Sequence, residues 1–207
     1  IGKEIGYPAV VKAQVLIGGR GKAGGVKVVG AEADLAREAG RILGLDIRGH
    51  LVGKVLITPA TDIEKEFYAG IVLDRKHETP LLMVSPAGGI DIEEVARTNP
   101  EKILRLHLDE RGLPAYRART AARFLDPRWT VQRQLAQILV QLAHVYRDPY
   151  ASLAEINPLV TTPQGEVWAL DAKVVNNDNA LDRHPDLADM RDLGAEDPGE
   201  VEARDKG

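Results

Sequence analysis

The sequence contains no cysteine, and this absence removes three kinds of chemistry at once. Disulfide bonds, thiolate catalysis and cysteine-ligated zinc all require a thiol that this chain does not have. No apolar run is long enough to span a bilayer, and no charged segment followed by an apolar one marks a leader. We therefore expect a cytoplasmic protein.

A large excess of positive charge is also missing. The formal net charge is -4, so neither nucleic acid nor an anionic membrane is expected as a partner. The 207 residues suffice for one domain or two small ones. The chain starts at Ile1 without an initiator methionine, and we expect it to be a fragment of a longer protein.

What the sequence does contain is a basic, glycine-rich segment directly after an apolar strand. Lys12 ends the strand, and residues 18–27 then hold five glycines and three basic residues. Glycines let backbone amides approach a polyphosphate closely, and Arg20 and Lys22 bring positive charge. The spacing matches neither G-x-x-x-x-G-K-[ST] nor G-x-G-x-x-G. Strand-like residues on both sides favour a phosphate-binding loop over the alternative, a mobile surface loop.

The remaining pattern alternates short strands with helices, as in an α/β protein. Residues 7–15 and 26–29 predict strands, and residues 31–43 predict an amphipathic helix. A long helix follows in the second half, with Thr130 as its N-cap and an apolar stripe that we assign to core packing.

A polar hairpin is predicted near the end of this pattern, with strands at residues 153–159 and 166–174. A turn centred on Gln164 would set Asn157 directly opposite Asp171. Oxygen ligands of this kind hold magnesium beside nucleotide phosphates. A slip of one residue would move one of the pair to the other face, and a solvent-facing polar pair is the alternative interpretation.

Between the loop and the hairpin, the strand at residues 52–57 is followed by a break at residues 58–60, which we interpret as a hinge. Glu66 shares a strand face with Tyr68 and Gly70, where it could accept a ribose hydroxyl or an adenine donor. A surface salt bridge is an equally good interpretation of Glu66. The histidines show no metal-ligand spacing and are interpreted as surface or packing residues. They are His50, His77, His107, His144 and His184.

Four segments of the chain, in order, resemble the nucleotide-binding part of succinyl-CoA synthetase (ADP-forming succinate–CoA ligase) beta subunits, which are ATP-grasp proteins. The segments are KAQVLIGGRGKAGGVKVV, ATDIEKEFYAGIVLDR, SLAEINPLV and LDAKVVNNDNALDRHPDL, and together they extend over nearly the whole chain. The resemblance implies an α/β ATP-grasp fold with two lobes that clasp a nucleotide. It also implies that the C-terminal flavodoxin-like domain of the family is missing here.

The resemblance further implies roles for individual residues. Lys12 and Arg20 would neutralise charge on the transferring phosphate and are the expected catalytic residues. Asn157 and Asp171 would hold Mg²⁺, in agreement with the hairpin geometry. The residues expected to bind ATP or ADP are Lys12, Gly19, Arg20, Gly21, Thr58, Thr61 and Glu66.

Two positions depart from the family pattern. Thr58 stands where the family often has a glutamate that contributes to adenine binding, and residues 85–89 lack the acid of the family segment S-x-E-G-G. The ATP or GTP preference is therefore open. The implied domains are residues 1–57 for the first lobe, 58–181 for the second lobe with the magnesium hairpin, and 182–207 for an acidic linker.

The function implied by the resemblance is phosphoryl transfer within an acid–CoA ligase. ATP, succinate and CoA would give ADP, phosphate and succinyl-CoA through a phosphohistidine on the alpha subunit, which would be the protein partner. The fragment alone is expected to be inactive in the full reaction. Alternatives are a malate–CoA ligase or ATP-citrate lyase subunit, an ATP-grasp carboxylate–amine ligase, and a nucleotide-binding module without turnover.

Overall fold

The computed structural model describes residues 2–148 and 150–190, together with residues 199, 202, 203 and 206. Half of the predicted acidic linker at residues 182–207 lies outside these residues. Two compact units are distinguished, one reaching Thr61 and the other spanning Asp62–Met190. Among the helices in the described ranges, none has the length and apolarity needed to cross a membrane. The functional lobe bounds remain a prediction.

The first unit is built on a three-stranded antiparallel sheet in the order β2-β1-β5. Strand β1 alternates strictly, with Ala9, Val11 and Ala13 buried, which is the period expected of a strand with one covered face. Leu35 and Ile42 on helix α2 pack in the same core. The elements are α1 Gly2–Ile5, β1 Ala9–Gln14, β2 Val26–Val29, α2 Glu32–Ile42, β3 Asp46–Ile47, β4 His50–Leu51 and β5 Lys54–Pro59.

The predicted hinge at residues 58–60 is wrong at its first two positions. Thr58 pairs with Val10 and Pro59 pairs with Ala9, so both belong to β5. Proline is accepted here because β5 is an edge strand and Pro59 is its last residue. Regular strand structure resumes only at Lys65, where β6 begins.

The second unit is built on a six-stranded antiparallel sheet in the order β10-β9-β6-β7-β8, with β11 also paired to β9. Helices α4 and α5 cover one face and form the larger core with it, while the smaller cluster around Tyr68 packs against α3. The elements are β6 Lys65–Asp74, β7 Thr79–Ser85, α3 Ile92–Thr98, β8 Leu104–His107, α4 Ala115–Leu125, α5 Trp129–Arg147, β9 Ala151–Thr161, β10 Val167–Ala169, β11 Ala172–Asn176 and α6 Pro185–Ala188. Two 3-10 turns lie at Pro100–Lys102 and Asp178–Arg183.

The long helix α5 begins earlier than the sequence predicts. Its N-cap is Arg128 rather than Thr130. The carboxylate of Asp126 accepts the backbone N–H of Arg128 (2.9 Å), so a polar group two residues before the cap organises this end of the helix. The assignment of the apolar stripe to core packing is confirmed, because Leu135 and Leu139 are fully buried.

Candidate functional site

The glycine-rich segment of the first unit is a loop that folds back onto the end of β1. The N–H of Gly25 donates to the carbonyl oxygen of Arg20 (2.8 Å), and the N–H of Ala13 donates to the carbonyl oxygen of Gly25 (2.7 Å). The guanidinium of Arg20 donates in turn to the carbonyl oxygen of Ala13 (2.9 Å). The predicted pinning of the loop between two strands is confirmed, since β1 and β2 pair directly from Ala9 to Lys12.

Two arginines from outside the loop lie against it, and the sequence interpretation missed both. The guanidinium of Arg41 on α2 donates to the carbonyl oxygen of Gly24 (3.0 Å). A Cβ on Gly19 would lie 3.3 Å from a guanidinium nitrogen of Arg48. Both residues are distant from the loop in sequence and have no motif of their own, so only the folded chain reveals them. Arg48 increases the positive charge at a loop predicted to bind phosphate, whereas the guanidinium of Arg41 is also paired with the carboxylate of Glu38 (2.8 Å).

Lys12 and Thr58 lie on the same face of the three-stranded sheet. Lys12 pairs with Val26 and Leu56, and Thr58 pairs with Val10, two residues from Lys12 on the same strand. The hydroxyl of Thr58 is buried and has no hydrogen-bond partner among the described residues. A buried hydroxyl without a partner is uncommon in proteins, and it suits a position that contacts a ligand.

The register of the predicted hairpin is confirmed in the second unit. Strand β9 pairs with β10 on one side of the Asp171 position and with β11 on the other, and both pairings place Asn157 opposite Asp171. The N–H of Asn157 donates to the carbonyl oxygen of Asp171 (3.0 Å). The amide and carboxylate side chains therefore start from directly opposed backbone positions.

A β-bulge sets the position of Asn157. On β9, Asn157 and Pro158 together face the single residue Tyr68 of β6, because the register shifts between Phe67 and Ala69. The side-chain oxygen of Asn157 accepts the N–H of Gly89 (2.8 Å), and its amide nitrogen donates to a carbonyl oxygen one residue further along that loop (3.1 Å). These two bonds fix which end of the amide is oxygen.

Asn157 and Asp171 fit a magnesium ion by the chemistry of their donors. An amide oxygen has two lone pairs, and the Gly89 N–H engages one of them. A carboxylate and an amide oxygen are hard ligands, which is the type that Mg²⁺ prefers. Together they would provide two oxygen ligands, one from β9 and one from the residues between β10 and β11, and the remaining coordination positions would be left to water and phosphate.

Glu66 lies against the same glycine segment as Asn157. Its carbonyl oxygen accepts the N–H of Gly88 (3.1 Å), and a Cβ on Gly89 would lie 2.2 Å from its carboxylate oxygen. Gly89 therefore contacts both Glu66 and Asn157, and no larger residue fits between them without movement. The structure brings two of the predicted site residues, Glu66 and Asn157, to this segment, and a third, Asp171, lies opposite Asn157 across the hairpin.

A half-buried carboxylate, that of Glu155, lies close to Asp171 in the second unit. The Tyr68 hydroxyl donates to a carboxylate oxygen of Glu155 (3.2 Å). Burial raises the pKa of Glu155, and the nearby carboxylates of Glu93 and Asp171 raise it further, whereas the Tyr68 hydrogen bond and Lys173 oppose this. Burial also raises the pKa of Tyr68. A cation near Asp171 would relieve the repulsion between the carboxylates.

The fold and this arrangement of residues define a member of the ATP-grasp class, and comparison with known proteins agrees. The ATP-grasp domain family matches residues 1–161, so the chain belongs to that family. More particularly, it is 48% identical over 208 residues to the succinate–CoA ligase [GDP-forming] subunit beta of Thermus thermophilus. It is 49% identical over 205 residues to the succinate–CoA ligase [ADP-forming] subunit beta of Gemmatimonas aurantiaca.

The alignments cover 100% and 99% of this chain but 55% and 54% of those two relatives, so the chain spans about half their length. Among solved structures, ATP citrate lyase from Methanothrix soehngenii superposes with a TM-score of 0.65 at 23% identity, over 85% of this chain and 40% of that one. The dinucleotide-forming acetyl-coenzyme A synthetase 1 of Ca. Korarchaeum cryptofilum gives 0.64 at 18% identity, over 85% and 79%. These two likenesses support the fold.

Proposed function

We propose that the chain is the nucleotide-binding part of an acid–CoA ligase beta subunit and that it binds a magnesium nucleotide. One observation carries the proposal: the hairpin register sets Asn157 opposite Asp171 in a chain whose relatives are named succinate–CoA ligase beta subunits. The proposal also concerns the complete protein, for which relatives about twice as long as this chain serve as the guide.

In the first unit, the glycine-rich loop and Lys12 bind the nucleotide phosphates in this proposal. Lys12 and Arg20 neutralise charge on the transferring phosphate, and the backbone amides of Gly19 and Gly21 approach its oxygens. The position of Arg48 against the loop supports a phosphate ligand, because it adds positive charge there. Thr58 and Thr61 lie on the adenine side of the proposed ligand.

In the second unit, Asn157 and Asp171 hold the magnesium ion and Glu66 accepts a ribose hydroxyl in this proposal. When bound, the ion would supply positive charge that offsets the charge developing on the phosphate during transfer. Asn157 is held in place by its two bonds to the glycine segment, so one oxygen ligand is oriented before the ion arrives. Glu66 is brought to the same segment by its contact with Gly89.

The finer proposal concerns the reaction and its partners. The complete enzyme would join succinate to CoA with ATP, through an acyl phosphate and a phosphohistidine on an alpha subunit in the cytoplasm. Relatives named as ADP-forming and as GDP-forming match at 49% and 48% identity, so both nucleotides belong in the first assay. Transfer of labelled phosphate to a purified alpha subunit tests the partner, whereas transfer to no protein favours a carboxylate–amine ligase.

The deciding experiment is calorimetric titration of the chain with ADP and with GDP, each with and without magnesium. We expect magnesium to strengthen binding in the native chain. Asp171→Asn should lose that magnesium dependence by about tenfold or more, because a charged metal ligand is replaced by a neutral one. A direct contact to the ion predicts that nucleotide binding without magnesium changes little.

The matched control is Asp186→Asn, which removes an exposed carboxylate from α6 in the same unit. It should leave both titrations as they are. Magnesium dependence that survives in Asp171→Asn, or the absence of nucleotide binding in a chain shown to be folded by circular dichroism, would contradict the proposal for this chain.

A further inference from the structure

A second cluster of potential metal ligands lies at the other end of β6, in the second unit. Asp74 is the last residue of β6, His77 lies in the turn that follows, and His107 is the last residue of β8. Strand β7 lies between β6 and β8, and it pairs through Thr79 with Asp74 and through Leu81 with His107. Three residues separated in sequence therefore converge at one corner of the sheet.

One carboxylate oxygen of Asp74 contacts both imidazoles. It lies 2.7 Å from Nδ1 of His77 and 2.9 Å from Nε2 of His107. The imidazole rings are themselves close, with centroids 4.9 Å apart. The three donor atoms all lie within 4.8 Å of one another, which is compact enough for one ion to contact them all after small side-chain movements.

The second carboxylate oxygen of Asp74 is engaged in the turn. It accepts the backbone N–H of Lys76 (3.0 Å) and that of His77 (3.3 Å). These bonds orient the carboxylate and direct the first oxygen toward the two rings. The side chains of His77 and His107 are 54% and 40% exposed, so an ion can reach the ring nitrogens from solvent.

Two imidazole nitrogens and one carboxylate oxygen form a ligand set of borderline softness. Imidazole suits zinc and the other divalent first-row transition metals, whereas magnesium and calcium prefer all-oxygen sites. From this geometry we propose that Asp74, His77 and His107 form a binding site for a divalent transition cation of the zinc type. The site is separate from the proposed magnesium ligands, which lie in the β9–β11 hairpin.

Metal binding replaces the hydrogen bonds to Asp74 by metal–ligand bonds and leaves the number of protons on each imidazole unchanged. Nδ1 of His77 and Nε2 of His107 each give up a proton to coordinate the ion, and each ring carries its proton on the other nitrogen instead. Asp74 coordinates as the carboxylate, and water fills the remaining positions. The ion would tie the β6–β7 turn to the end of β8 and would stabilise that corner of the sheet.

The test is direct titration of the full, tag-free chain with Co²⁺ and Zn²⁺ in excess Mg²⁺, which saturates the proposed magnesium site. Co²⁺ should give visible d–d absorption bands at one equivalent, and Zn²⁺ should displace it and raise the melting temperature. His77→Gln and His107→Gln should each weaken Zn²⁺ binding by more than about tenfold, since even the loss of an outer partner of a ligand costs 10–100-fold.

His50→Gln provides the matched control, because it removes an exposed histidine from the other unit and should change neither signal. Asp74→Asn adds the third ligand to the test. It keeps one oxygen acceptor for the turn, and metal-free melting checks that each variant is folded. Absence of the Co²⁺ bands in the native chain would overturn the site, as would Zn²⁺ affinity that is unchanged in both histidine variants.

Discussion

Asn157 illustrates how much a single amide can organise in this protein. Its oxygen accepts from Gly89 and its nitrogen donates to the carbonyl oxygen of Ile90, so the side chain needs both a donor and an acceptor. An ionised aspartate at this position would have no N–H for Ile90. This requirement explains on structural grounds why an amide, rather than a second carboxylate, stands opposite Asp171.

Lys12 allows a prediction at the scale of one residue. Lys12→Met should weaken ADP and ATP about tenfold to a hundredfold and leave adenosine nearly unchanged, because the proposed contact is a charge-assisted bond to phosphate. Lys27→Met is the control, since Lys27 is an exposed neighbour on β2 that pairs with Val11 and so lies on the opposite face. Competition titration measures all three ligands, and equal losses for adenosine and ATP would contradict the phosphate contact.

At the scale of an element, we predict that alanine substitutions at different glycines of the glycine-rich loop destabilise the chain to different extents. A Cβ on Gly25 would lie 2.9 Å from Ile47 and 3.1 Å from the carbonyl oxygen of Arg20, while one on Gly18 would meet nothing within 4 Å. Gly25→Ala should therefore destabilise the chain by about 1–3 kcal/mol, as overpacking does. Gly18→Ala should change the free energy of unfolding by no more than about 0.5 kcal/mol. Urea unfolding measures this free energy for both variants, and equal losses of stability would contradict the loop packing.

The start of helix α5 predicts a second effect at this scale. Asp126 is fully buried, and its carboxylate accepts hydrogen bonds from Lys65 and Arg128. Asp126→Ala should cost about 3 kcal/mol, the lower end for a broken buried pair, because both cations keep some contact with water. Glu64→Gln alters only the partly exposed end of the network and should cost under about 1 kcal/mol. Urea unfolding measures both variants, and an equal loss in the free energy of unfolding would contradict this prediction.

The same carboxylate predicts how stability depends on pH. Burial alone would raise the pKa of Asp126, but hydrogen bonds from Arg128 and Lys65 outweigh it and hold the pKa well below its usual range. Because the pKa of Asp126 is lower in the folded than in the unfolded chain, its ionised carboxylate stabilises the fold at pH values above the unfolded pKa of about 3.9. This contribution is lost as the pH falls below that value toward the folded pKa. The stability difference between the native chain and Asp126→Asn should therefore narrow below about pH 4. A difference in the free energy of unfolding between the two chains that stays constant as the pH falls would contradict this prediction.

At the scale of the whole molecule, each of the two compact units contains its own core. The clusters of buried residues in the second unit draw only on residues between Phe67 and Leu159, and the six-stranded sheet is complete within Asp62–Met190. We therefore expect residues 62–190 expressed alone to fold and to unfold cooperatively in urea. Leu135→Ala in that fragment should cost about 2–5 kcal/mol, because Leu135 is fully buried. A fragment without a cooperative transition would show that its core depends on the rest of the chain.

Local patterns in the sequence were enough to predict much of this architecture. The strict alternation of β1, the amphipathic period of α2 and the turn residues after β9 are short-range signals, and each is confirmed. The opposition of Asn157 and Asp171 was predictable because the turn between their strands sets the hairpin register. The family was predictable because four motifs occur in one order. The roles of the site residues remain predictions.

Other features of the protein were decided only by the tertiary structure, because they depend on contacts between residues far apart in the chain. The placement of Arg41 and Arg48 beside the loop, the contact of Gly89 with both Glu66 and Asn157, and the bulge on β9 have no local signal. The histidines showed no metal spacing because His107 meets Asp74 across 33 residues, through strand pairing rather than a motif. Sequence by itself determined strand β1, helix α2 and the hairpin register, since turn chemistry and periodicity act over a few residues. The folded sheet decided which distant side chains share a corner, because strand order is set by burial of the whole core.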